Sequence, residues 1–154
     1  MNLQKDGVHV AFTGGTGILV FIDLIALIIR KNLGLLKSSQ LIPIFAPGST
    51  FKFVLYASFA SREEAIGLEL LEGLAEITKS LGLKNFHLEL RFSNSGVATR
   101  WDREFIMRNI DIWNKEGLKK AYVCGPPVMN ELFDRTIDSL INQQVLERSM
   151  VEVL

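Results

Sequence analysis

Two clusters of small residues are the places in this 154-residue chain where the backbone itself could do chemistry. The first is Thr13-Gly14-Gly15-Thr16-Gly17, set between the apolar run Val8 to Phe12 and a longer one beginning at Ile18. Glycines let a chain turn tightly and bring its amides against a ligand with no Cβ in the way. A helix that starts at such a turn leaves its first amides without intrahelical partners, and these favour an anion such as a pyrophosphate. Two standard phosphate-binding patterns fail here. G-x-G-x-x-G needs glycine at position 19 or 20, where Leu19 and Val20 stand, and no Gly-Lys-Ser/Thr follows. The competing reading is a structural turn with no ligand.

The second cluster is Cys124-Gly125-Pro126-Pro127-x-Met129, after the apolar run Lys120 to Cys124. Gly125 allows close approach to the backbone. Cys124 offers a soft thiol, but a lone cysteine at a strand end is also a small buried hydrophobe. No histidine stands in an obvious partner position, so a Cys–His nucleophile is not expected.

Composition narrows the classes. Lys and Arg number 17 and Asp and Glu number 17, a formal net charge of zero. That balance gives no electrostatic reason to expect nucleic acid or an anionic membrane surface as partner. One cysteine rules out an internal disulfide and suits a reducing compartment: the cytoplasm, or the cytoplasmic face of a membrane protein. With only His9 and His87 beside Cys124, no metal site is expected. The apolar run Ile18 to Ile29 falls short of the ~20 residues a bilayer span needs, and Asp23 interrupts it. No direct membrane insertion by this chain is therefore expected. Met1 to Gly7 are polar and do not read as a signal peptide.

The elements that must position the two clusters alternate along the chain. Strands are expected at Val8 to Phe12, Phe51 to Tyr56, Phe86 to Phe92, Lys120 to Cys124 and Ser149 to Val153. The third alternates apolar and polar residues, as a half-exposed edge strand does. Helices are expected at Ile18 to Lys31, Ser61 to Leu81, Trp101 to Lys115 and from Pro126 onward. Apolar residues on nearly all faces of the first predict burial all round. Ser61 and Glu64 have capping-box spacing, and Ile66, Leu70, Leu74, Ile77 and Leu81 form a core stripe for the second. Met129, Leu132, Phe133, Thr136, Ile137 and Leu140 do so for the fourth. Lys37 to Thr50 is a loop with a sticky segment, Leu41 to Phe45, and Ser93 to Thr99 is a second loop. The order βαβαβαβαβ predicts one α/β domain over residues 1–154: a doubly wound, five-stranded parallel sheet covered on both faces. Both glycine clusters then lie at the carboxyl edge of the sheet, where such folds bind ligands.

This chain resembles the nicotinamide-nucleotide domain of the ferredoxin–NADP reductase superfamily. The residues that carry the resemblance are Gly14-Gly15-Thr16-Gly17-Ile18, Leu55-Tyr56-Ala57-Ser58 with Ser61-Arg62-Glu63-Glu64, and Val123-Cys124-Gly125-Pro126-Pro127-x-Met129. They stand in the family's order and at about its spacing, and the flavour is nearest to ferric reductases and NADPH oxidases. The resemblance implies strand order 3-2-1-4-5. It implies that Thr13, Gly14, Gly15, Thr16 and Gly17 hold the pyrophosphate, and that Ser58 and Arg62 meet the adenine ribose. It places Cys124, Gly125, Pro126 and Met129 beside the nicotinamide, with Cys124 at the point of hydride transfer. The family's usual proline after the glycine turn is replaced by Leu19-Val20. The family's flavin domain is not in this sequence: the chain begins almost at the first strand, and no Arg-x-Tyr-Ser/Thr motif occurs. An excised fragment is expected, with a separate flavin chain as the other possibility. The flavin domain, in cis or in trans, is thus the expected partner, and FAD belongs to it.

The implied function is the NAD(P)H-binding half of a flavin-dependent oxidoreductase, inactive without its flavin domain. Serine at 58, in place of an acidic residue, inclines the cofactor to NADPH over NADH, and Arg62 could pair a 2′-phosphate. Arg62 reads equally as a solvated first-turn residue. Arg91, Arg100 and Trp101 are further candidates to line the cleft, Trp101 being better explained by packing at a helix start. The alternative is a degenerate module that senses nucleotide or holds a partner without catalysis. A weaker third reading, a doubly wound domain for another phosphate ligand, leaves the Cys124 block without a role.

Overall fold

The computed structural model describes residues 1, 3–37, 42–95 and 101–154. Leu41 and Arg100, which entered the expectations above, lie outside them. The five strands are β1 (Val8–Gly14), β2 (Lys52–Phe59), β3 (Phe86–Phe92), β4 (Leu118–Cys124) and β5 (Val151–Val153). All pair in parallel in the order β3-β2-β1-β4-β5, as the resemblance implied. The helices are α1 (Ile22–Asn32), α2 (Leu68–Ser80), α3 (Arg103–Lys115) and α4 (Pro127–Asn142). Among the described residues no helix is long and apolar enough to cross a membrane.

Alternation along each strand splits the core in two. Ala11, Phe53, Leu55 and Ala57 pack with Ile25 and Ile28 of α1 and Leu71 and Leu74 of α2. Val10, Phe12, Val54 and Tyr56 pack with Phe105, Ile106 and Ile110 of α3 and Phe133, Ile137 and Leu140 of α4. Each helix thus covers one face of a sheet whose central strand, β1, is buried at every position. Trp101, 4% exposed, packs ahead of α3, and Asp102 caps that helix by accepting from the Phe105 amide at 2.7 Å. Pro126 caps α4, Pro127 opens it, and its core stripe is the expected one.

Two expectations need correction. The chain after the glycine turn is not α-helical from Ile18: a 3₁₀ helix runs over Gly15–Phe21 before α1 begins. With three residues per turn, Ile18 and Phe21 share the inner face and are fully buried. Leu19 and Val20 are turned outward, 52% and 43% exposed, so this run is not buried all round.

The second helix begins at Leu68 and not at Ser61, so Ser61 and Glu64 form no capping box. Its N-cap is Gly67, whose φ of +74° belongs to the left-handed region that glycine tolerates. A Cβ there would meet the Ile22 side chain at 3.0 Å, which makes Gly67 a close-packing position. Ser61 bonds to the Glu63 carboxylate instead; together with a backbone hydrogen bond within Glu63, the stronger cause, it holds that carboxyl below its usual range. The inward stripe shifts to Leu71, Leu74 and Thr78, leaving Ile66 and Leu81 exposed.

Candidate functional site

The carboxyl edge of the sheet is set by where each strand stops. β1 ends on Gly14, which is level with Ser58 of β2, and Ser58 is level with Arg91 of β3. On the other side Thr13 is level with Cys124. The strand order reverses between β1 and β4, so the crevice expected of a doubly wound sheet falls between Gly14 and Cys124.

Both glycine clusters meet in that crevice. A Cβ on Gly17 would lie 2.1 Å from the Cys124 carbonyl oxygen and 3.2 Å from the Gly125 nitrogen. A Cβ on Gly14 would lie 2.8 Å from Met129 Sδ and 3.0 Å from Pro126 Cδ. One on Gly125 would lie 2.5 Å from the same sulfur and 3.3 Å from the Gly14 nitrogen. The turns after β1 and β4 therefore touch backbone to backbone, with the Met129 thioether between them. Gly15 differs: its φ is +54°, it is exposed, and a Cβ there would meet nothing within 4 Å. Its side chain is excluded by backbone conformation, so the outer surface of the turn at Gly15 and Thr16 is open.

Other expected site residues are placed as follows. Thr13 is buried, and its hydroxyl donates to the Tyr56 carbonyl at 3.3 Å, so it serves the sheet. Cys124 packs in the core on the α1 side, 8% exposed, and burial pushes its thiol up from the ordinary value. That environment keeps it a neutral thiol and gives no nucleophile. Pro126 is exposed, Val128 is 75% exposed, and Met129 is half-buried. Ser58 is half-buried at the end of β2, and alternation with Tyr56 assigns it to the α3 face. Arg62 is on the other face: its Nη2 donates to both carboxylate oxygens of Glu72 at 2.8 and 3.1 Å, and it lies 5.6 Å from the Phe92 ring. The structure thus brings the glycine turn, Cys124, Gly125, Pro126 and Met129 together, and separates Ser58 from Arg62.

A basic and aromatic corner stands at the β3 end of the same edge. The Arg91 guanidinium lies 3.9 Å from the Phe105 ring and 4.8 Å from Trp101, and pairs with Glu89 at 3.2 Å. Arg108 lies 5.7 Å from the same Phe105 ring. Arg108 carries no motif, and its place was not legible in the sequence. A cavity of about 410 Å³ lies at the opposite, amino-terminal edge, lined by Lys31, Phe45, Ser49, Phe51 and Asn85 among others. It is remote from the glycine clusters, and sheet topology, not cavity size, locates the candidate site.

No protein-family model matches the chain, and no curated protein matches it in sequence. Solved structures match it in fold. The CS-b5R domains of human Ncb5or in the NAD+ form are 13% identical, with a TM-score of 0.69 over 99% of this chain and 39% of that one. The cytochrome b5 reductase domain of Ulva prolifera nitrate reductase is also 13% identical, with a TM-score of 0.60 over 99% of this chain and 49% of that one. A mutant ferredoxin-NADP+ reductase from Plasmodium falciparum in complex with 2'P-AMP is 18% identical, with a TM-score of 0.56 over 96% of this chain and 53% of that one. This chain has the fold of the matching part of those reductases, and spans about half or less of their length.

Proposed function

We propose that this chain is the NAD(P)H-binding half of a flavin-dependent oxidoreductase, positioning a nicotinamide for hydride transfer to FAD held by a flavin-binding domain in cis or in trans. The observation that carries the reading is the contact of Gly14 and Gly17 with the Cys124-Gly125 peptide and Met129 at the point where strand order reverses. Two backbone turns in contact at that crevice suit a long ligand lying over both. At Gly14, Gly17 and Gly125 a Cβ would strike the facing turn or Met129, so these glycines let the two turns close on each other, and Gly15 and Thr16 are left as the open backbone for a ligand.

Gly15, Thr16 and Gly17 would hold the pyrophosphate through amides that start the 3₁₀ helix. Cys124, Gly125, Pro126 and Met129 would border the nicotinamide, and Ser58 the adenine ribose. When bound, the nicotinamide supplies a hydride. The residues around it bind, orient and exclude water, with Cys124 acting as a neutral neighbour and transferring no proton. NADPH is favoured over NADH because Ser58 presents a hydroxyl where a carboxylate would favour a free ribose diol.

The flavin domain would dock on the apolar surface beside the crevice, where Leu19, Val20 and Val128 are exposed. The ferric reductase and NADPH oxidase kind, with this domain in the cytoplasm or at the cytoplasmic face of a membrane, is the form proposed. Calorimetric titration with NADPH and NADH tests binding. Affinity for either supports the proposal, and no heat from either at millimolar concentration overturns it.

A further inference from the structure

We infer that the turns ending α1 and α2 form a docking surface for an anionic lipid bilayer, with Leu33, Leu35, Leu81 and Leu83 entering the headgroup layer and Lys31, Lys79 and Lys84 meeting its phosphates. The inference goes beyond the nucleotide reading and does not depend on it. α1, α2, α3 and α4 all end on one kind of turn. The residue after the C-cap has a positive φ, at Gly34, Gly82, Gly117 and Gln144, and its amide bonds back to the carbonyl three residues earlier at 2.9–3.1 Å. In such a turn the next residue is commonly apolar and packs back on the helix. α3 and α4 follow that rule. Their caps are the polar Glu116 and Gln143, and the apolar residues that follow turn inward, Leu118 buried and Val145 half-buried. α1 and α2 depart from it. Their caps are Leu33 and Leu81, 48% and 52% exposed, and Leu35 and Leu83 stay 60% and 40% exposed. Helix capping gives no cause for four exposed leucines.

The two turns belong to one surface at the amino-terminal edge of the sheet, away from the glycine clusters. Leu33 and Leu81 line a shared groove with Gly73 and Ile77. Asn32 pins the turns together: its Nδ2 donates to Thr78 Oγ1 and Asn85 Oδ1 at 3.3 Å, and its Oδ1 accepts from Asn85 Nδ2 at 2.7 Å. The zero net charge hides a segregation here, for no Asp or Glu occurs in residues 24–62 or 77–88. Lys31, Lys79 and Lys84 are exposed, and none of them enters an ion pair among the described residues. Lys31 and Lys79 also offset the negative ends of the two helix dipoles. The carboxylate lining the groove is Glu76, and Asp6, at the same edge, is engaged by the Thr50 amide and hydroxyl at 3.2 Å. Exposed leucines flanked by lysines suit a bilayer surface: the apolar tips leave water, and the ammonium groups meet anionic headgroups. A second copy suits the surface less, because an isologous contact sets the same three lysines against one another. The flavin domain is assigned above to the opposite edge. The chain would lie on the bilayer without spanning it, in keeping with the lack of a spanning helix among the described residues.

The test is cosedimentation of the whole chain with vesicles of phosphatidylcholine alone and of equal parts phosphatidylcholine and phosphatidylserine, at low and at high salt. Binding to the anionic vesicles is expected, with little binding to the neutral ones and loss of binding as salt screens the lysines. Leu35→Ser and Leu83→Ser should each lower partitioning about tenfold, the equivalent of withholding one leucine from the apolar layer. Lys84→Glu should lower it at least about fivefold. Ile112→Ser, at a comparably exposed position on α3, should leave it unchanged. Unfolding midpoints show whether each variant is folded, and should either serine variant fail to fold, the exposed Lys84→Glu decides. The inference is overturned if the wild type does not sediment with anionic vesicles, if it binds neutral ones as well, or if the leucine and lysine variants bind like the wild type. A lipid-free dimer that Leu83→Ser dissociates also overturns it, by assigning the surface to a second copy. Nucleotide titration is read separately, so a failure here leaves the proposed function standing.

Discussion

His9 makes the stability of this fold depend on pH in a way that can be worked out in advance. It is the second residue of β1 and has no exposed surface, 5.1 Å from the Phe51 ring and stacked at 6.5 Å on Tyr122. Its Nε2 accepts from the Gln4 amide at 3.3 Å, which assigns the proton to Nδ1, and Nδ1 has no partner. Burial lowers the imidazole from its ordinary 6.5 to about 4, with Lys120 and Lys119 adding to the effect and the Gln4 bond opposing it. The folded state therefore holds the neutral ring. The unfolded chain takes up the proton first as pH falls through 6.5, so stability is intact above that value and is lost toward pH 4. The full shift corresponds to ~3.4 kcal/mol, of which ~1.8 kcal/mol is lost between pH 7 and pH 5. His87, also lowered by burial, acts in the same direction. Urea unfolding at a series of pH values from 5 to 7 measures the slope, and His9→Phe keeps a ring while removing the titration. A variant that keeps the wild-type slope over that window would refute the argument.

Gly17→Ala places a Cβ on the Cys124 carbonyl, where backbone must move, and should destabilise by ~1–3 kcal/mol or more. Gly15→Ala, strained by its φ of +54° but free of clashes, should cost only ~1–2 kcal/mol, and chemical denaturation of the two variants checks the order. Tyr56→Phe removes a hydroxyl that accepts from Trp113 Nε1 at 2.7 Å and donates to Asn109 Oδ1 at 2.7 Å. Two buried groups lose their partner, so the unfolding free energy measured in urea should fall by ~1–3 kcal/mol. Leu19→Asp, on the exposed side of the 3₁₀ helix, should leave the unfolding midpoint nearly unchanged and weaken capture of a flavin-binding domain in a binding assay.

What was legible in the sequence was what repeats or what glycine marks. Alternation in Phe86 to Phe92 predicted the edge position of β3, and the two glycine clusters marked the same edge of the sheet. Periodicity failed where the period itself changed. Over Gly15–Phe21 the chain turns every three residues, so a run that reads as buried all round presents Leu19 and Val20 to solvent. Ser61 and Glu64 have the residue types of a helix start, but the left-handed Gly67 between them and the helix moves its start to Leu68. The partners of arginines were not legible either. Nothing in the spacing of Arg62, Glu72, Glu89, Arg91 and Phe105 tells that Glu72 pairs with Arg62 and Glu89 with Arg91, or that Arg91 also lies over rings at the edge.

The most direct measurement of the central claim is mapping of amide chemical-shift changes as NADPH is added to the isotopically labelled chain. The account predicts changes at Gly14, Gly15, Thr16, Gly17, Cys124 and Gly125, extending along the carboxyl edge to Ser58 and Arg91. Changes confined to the opposite edge, around Lys31, Phe45 and Asn85, would contradict it.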